Sequence, residues 1–98
     1  MREVVLLYPC LGNEAYEFPQ LPVGLLHLGT ALSRAGWSVR IVDQRLEPDW
    51  RQAISRVLSQ ETVCVGISSM TGPQLVAGAQ MARFVRETRA GLPLVWGG

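Results

Sequence analysis

Four short apolar runs, VVLLY, VRIV, TVCVGI and LPLVW, recur along the chain, and each of the first three is followed by a stretch of helical period. Strands alternating with helices leave few options, because a strand that returns parallel to its predecessor needs a crossover helix. The pattern reads β-α-β-α-β-α-β and predicts an α/β domain with a doubly wound parallel sheet. Val4 to Tyr8 is continuous and rich in β-formers, so it predicts a strand buried on both faces, stopped by Pro9. The second strand runs from Trp37 to Val42 and ends at Asp43, the third covers Thr62 to Ile67, and the fourth covers Leu94 to Trp96.

The helices carry their own signals. Pro22 suits a first turn, and Gly36 suits the residue just past the end. Between them Leu25, Leu28 and Leu32 recur at helical spacing with Gly29 on the same face, which points His27 and Arg34 to solvent. Pro48 to Gln60 predicts a second helix with Trp50, Ala53, Ile54, Val57 and Leu58 inward. Pro73 to Arg89 predicts a third, with Leu75, Ala79, Ala82 and Val85 inward and Arg83, Arg86 and Glu87 mainly outward. The chain stops at Gly97-Gly98, where a turn and a covering helix should follow. It therefore reads as a single partial domain over 1–98, the N-terminal fragment of a longer protein.

Composition excludes several functions. The 98 residues are 48% apolar, which is enough for one core. The net charge of +1 gives no electrostatic case for nucleic acid or for an anionic membrane surface. All nine basic residues are arginine, so there is no lysine for a phosphate loop or a Schiff base. No apolar run is long enough for a membrane span, and the N-terminal run is too short for a secretion signal, so a cytoplasmic setting is expected. Cys10 and Cys64 lie far apart with no CxxC. Cys64 reads as a small buried residue and Cys10 as a partly buried loop residue.

Ligands of open α/β sheets bind beyond the carboxyl ends of the strands. Here those ends are YPCLG, VDQR, ISSMTG and WGG. Neither GxxxxGK[ST] nor GxGxxG is present, and no His/Cys/Asp cluster has metal-ligand spacing. Ser68 lies outside any G-x-S-x-G, and the single histidine sits mid-helix on the wrong face for a triad. What remains is a neutral set of hydroxyls, glycines and apolar groups, suited to a large, mostly apolar ligand with a few hydrogen-bonding groups. The start of the third helix adds free N–H groups for an anionic moiety. Each residue also has a plainer reading: Thr71 as a helix cap, Ser68 and Ser69 as loop residues, Gly97 and Gly98 as a turn, Asn13 and Glu14 as solvated loop, Asp43 as a cap or turn.

In order and spacing, PxGLLxLxxxLxxAG over Pro22 to Gly36, VGISxMT over Val65 to Thr71, and LPLVWGG resemble the N-terminal cobalamin-binding domain of B12-dependent radical SAM proteins, the group that includes the anaerobic magnesium-protoporphyrin monomethyl ester cyclase. The resemblance covers nearly the whole chain. It implies a flavodoxin-like sheet of order 2-1-3-4-5, with the fifth strand and last helix missing here. It implies that cobalamin places its nucleotide tail between the third and fourth strand ends. Ser68, Met70 and Thr71 match the turn that contacts the tail, with Ser69 between them, and Gly97 and Gly98 match the diglycine that lets the tail pass. Pro9, Cys10, Leu11, Gly12, Asn13 and Glu14 would lie under the corrin ring.

That loop holds no histidine, so no imidazole from it ligates cobalt. CxxxCxxC is also absent. The resemblance therefore assigns S-adenosylmethionine and the [4Fe-4S] cluster to a following radical SAM domain of the same chain, and leaves this fragment non-catalytic by itself. The alternative is a degenerate, cofactor-free domain that serves as a structural or docking platform. A stand-alone enzyme has no nucleophile or acid–base pair to work with. With the fifth strand missing, LPLVW becomes an exposed apolar edge through which the fragment is expected to self-associate.

Overall fold

The structure is a computed structural model that describes residues 2–12, 20–69 and 72–97. Its elements are β1 (Glu3–Tyr8), α1 (Val23–Arg34), β2 (Ser38–Asp43), α2 (Trp50–Val57), β3 (Thr62–Ser68), α3 (Pro73–Thr88) and β4 (Leu94–Gly97). The strands form one parallel sheet of order β2-β1-β3-β4. This is the first four strands of the expected 2-1-3-4-5 order, a doubly wound α/β fold of flavodoxin-like type.

The continuous run of β1 is explained by its central place. Val5 and Leu7 face α2 and α3 in a cluster with Val65, Ile67, Ile54, Met81 and Val85. Val4 and Leu6 face α1 in a smaller cluster with Leu25. All four of these β1 residues are buried, so apolar side chains are needed on both faces. Trp50 and Phe84 meet edge to face at 5.7 Å and join α2 to α3.

Four expectations are corrected in detail. Helix α2 starts after Asp49, whose side chain accepts from the Gln52 amide at 3.2 Å, and it ends at Val57 rather than Gln60 because Leu58 is already extended. Ser59 there donates its N–H to Thr62 Oγ1, which turns the chain into β3. On α1, Leu25 and Gly29 are buried, but Leu28 is 48% exposed. On α3, the inward face is Gln74, Gly78, Met81, Ala82 and Val85; Leu75 is 51% exposed and Ala79 is also outward. Cys64 is half-buried at the rim of the α1-side cluster rather than enclosed, and both Cys10 and Cys64 are free thiols. His27 and Arg34 face solvent as expected.

Among the described elements, α1 alone covers the face that carries Val4, Leu6 and Tyr8, and it packs over β1 and β2. Beyond β1 that face continues through Cys64, Gly66 and Ser68 of β3 to Val95 and Gly97 of β4. Val95 is 57% exposed and Trp96, on the other face, 43%. No described helix is long and apolar enough to cross a membrane.

Candidate functional site

The strand order reverses between β1 and β3, which is where open α/β sheets receive ligands. A cavity of about 370 Å³ opens there, on the α1 side of the sheet. Leu6, Gly66 and Val95 lie side by side in register across three strands and form its deeper part. Tyr8, Ser68 and Gly97 are the next residues outward on the same face. Leu21 to Leu25 and Leu28 close the remaining side from the start of α1. The exposure of Leu28 now has a reason, since its side chain faces this cavity rather than the core. None of the described lining residues is charged.

The absence of a side chain at Gly66 leaves room for Leu6. A Cβ there would meet Leu6 Cδ2 at 2.9 Å, and it would intrude on the same space. Gly97 differs, because a Cβ there would meet nothing within 4 Å. Ser69 donates its N–H to Gly97 O at 2.7 Å, so the ends of β3 and β4 stay paired up to the cavity's edge.

The loop after β1 lies across the start of α3. Pro9 is fully buried, and its carbonyl accepts from Gln74 Nε2 at 3.1 Å. Gln74 is only 1% exposed and lines the cavity, which brings a buried carboxamide to it. Gly12 has φ +96°, and a Cβ on it would meet Pro73 Cβ at 2.6 Å, so only glycine fits this crossing. Gly78 gives similar room to Trp96, whose ring lies 3.0 Å from where a Cβ would stand.

The turn after β2 holds the same ends from the other direction. Gln44 donates its N–H to Tyr8 O at 2.9 Å, and its Oε1 accepts from the Cys10 amide at 2.8 Å. Asp43 Oδ1 accepts from the Arg45 amide at 3.0 Å, the turn role expected of it, and the carboxylate also takes the Arg45 guanidinium in a fork at 3.0 and 2.8 Å.

Among the described candidates, then, Ser68 and Gly97 line the cavity and Ser69 braces its edge. Pro9, Cys10, Leu11 and Gly12 do not line it; they form the neighbouring loop over α3. Asn13, Glu14, Met70, Thr71 and Gly98 lie outside the described residues. The N-cap position of α3 falls on Gly72, with φ +81°, rather than on Thr71. Tyr8 lies in the strand end YPCLG that the sequence pointed to, and it lines the cavity; Gly66, the Gln74 side chain and the α1 wall were missed. Gly66 alone had a signal, as a glycine inside a strand pattern. Among the described residues no three His, Cys, Asp or Glu side chains are grouped to hold a metal ion. No family model matches the chain, and no curated protein or solved structure matches it either.

Proposed function

We propose that the chain is a cobalamin-binding module of a radical SAM enzyme, with the cofactor's nucleotide tail in the cavity at the ends of β3 and β4. The observation that carries this reading is the uncharged cavity with Ser68 and Gly97 at its edge and glycine at its deeper part. At about 370 Å³ it is near the lower end of the roughly 300–1,000 Å³ of small-molecule sites. That suits an arm of a large cofactor and not a whole corrinoid, which would leave the ring outside, beyond the strand ends and next to the loop after β1.

In this reading Ser68 offers a hydroxyl to the tail, and the apolar walls from α1 and Val95 exclude water from it. Gly66 leaves the depth. Bound cobalamin supplies methyl transfer or a partner in radical chemistry, and the loop after β1 gives its cobalt no imidazole. The iron–sulfur cluster and S-adenosylmethionine belong to a following domain, and the setting is cytoplasmic.

Spectral titration with hydroxocobalamin, followed by gel filtration, tests the proposal. Retained cofactor with a changed visible spectrum is expected from the natural sequence. Ser68→Leu combined with Gly97→Val should abolish retention while leaving the circular dichroism unchanged, because Gly97 has open space around it. No spectral change and no retained cobalamin would overturn the proposal and leave the cofactor-free platform as the reading.

A further inference from the structure

We infer that Arg45 is the positioning residue of the cavity, holding the segment before α1 and the Tyr8 ring in the places that keep the space open. The inference rests on the cavity being a ligand site.

The Arg45 side chain is 2% exposed and that of Asp43 8%. Among the described residues its guanidinium makes three kinds of contact at once. Nε and Nη2 donate to the two oxygens of Asp43 at the end of β2. Nη2 also donates to the carbonyl of Gln20 at 2.7 Å, across 25 positions of sequence. The guanidinium carbon stands 4.3 Å from the centre of the Tyr8 ring. Tyr8 lines the cavity, and Gln20 immediately precedes Leu21 and Pro22, which line it opposite.

One planar group therefore ties the end of β1, the end of β2 and the entrance to α1. The next link is local: Leu26 donates its N–H to Pro22 O at 2.9 Å, so the first turn of α1 begins on the segment Arg45 holds. A lysine could pair with Asp43 but could not fork to it, reach Gln20 and stack on Tyr8 together. Asp43 removes the cost of burying the charge; Gln20 and Tyr8 receive the geometry.

The charge pair and the positioning can be separated. Replacing both partners of a buried ion pair by apolar residues of similar size often leaves stability intact. The full chain carrying Asp43→Asn with Arg45→Met removes both charges but keeps an Oδ1 acceptor for the backbone amide at position 45, and it should fold and melt close to the natural sequence. It should exchange the Leu26 amide faster by about tenfold or more, on the scale of one lost charge-assisted hydrogen bond. The Val65 amide, bonded to Pro93 O inside the sheet, serves as the unaffected control. Affinity for hydroxocobalamin should fall by a similar factor. Unchanged Leu26 exchange and unchanged affinity overturn the inference.

If the natural sequence binds no cobalamin, the cofactor reading fails, and the inference then stands or falls on the Leu26 amide alone. If the double variant does not fold, Arg45→Lys is read in the same way. It keeps the charge and should show the same selective loosening, and its absence there is equally decisive.

Discussion

Gly66 and Arg45 show how much of this site depends on single side chains, one by its absence. Gly66→Val would bring methyl groups against Leu6, which is itself almost fully buried. A valine gains strand propensity, but that gain is smaller than the cost of pushing the largely buried Leu6 side chain aside. The expected result is a loss of about 1–3 kcal/mol, read from the urea midpoint. A midpoint equal to or above that of the natural sequence would contradict it. At this scale the sequence was legible where chemistry and position coincide. Ser68 and Gly97 stand at strand ends, and both line the cavity. Arg45 and Gln74 were not legible, because their roles come from partners far along the chain: Gln20 for one and Pro9 for the other. No local period or motif encodes such a meeting.

Element by element, the alternation of runs was enough for four strands, three helices and their order, since each run had a length and a stop of its own. Faces were harder. On α3 the apolar character of Leu75 and Ala79 suggests a stripe through them, whereas the buried stripe passes through Gln74 and Gly78. Two tertiary demands set that rotation. The Trp96 ring needs the bare backbone of Gly78, and the Pro9 carbonyl needs the Gln74 amide. The consequence is measurable. Met81→Ala removes a fully buried side chain and should cost about 2–5 kcal/mol. Leu75→Ala, on the exposed face, should change stability by no more than about 0.5 kcal/mol. Denaturant titration of the pair checks the orientation, and equal losses would contradict it. The short α2 has a similar local cause, the Ser59–Thr62 hydrogen bond that turns the chain early.

For the whole molecule, the sheet is protected unequally. The face under α2 and α3 carries the larger cluster, while the α1 face is open over β3 and β4. Strand β4 is an edge with Val95 and Trp96 exposed, and we propose that copies of this chain associate through it. Sedimentation over a range of concentrations should show reversible growth in mass, and Val95→Lys should suppress it; a single monomeric species at every concentration would contradict the proposal. The central strand carries a different consequence. Glu3 to Tyr8 leave the ribosome before their neighbours in the sheet, which are Ser38–Asp43 on one side and Thr62 and Cys64–Ile67 on the other. This apolar strand therefore waits for Asp43 before one flank can be paired and for Ile67 before the other. Long-range parallel pairing of this kind slows folding and prolongs exposure of sticky backbone. During synthesis VVLLY is the segment most in need of a chaperone's shelter.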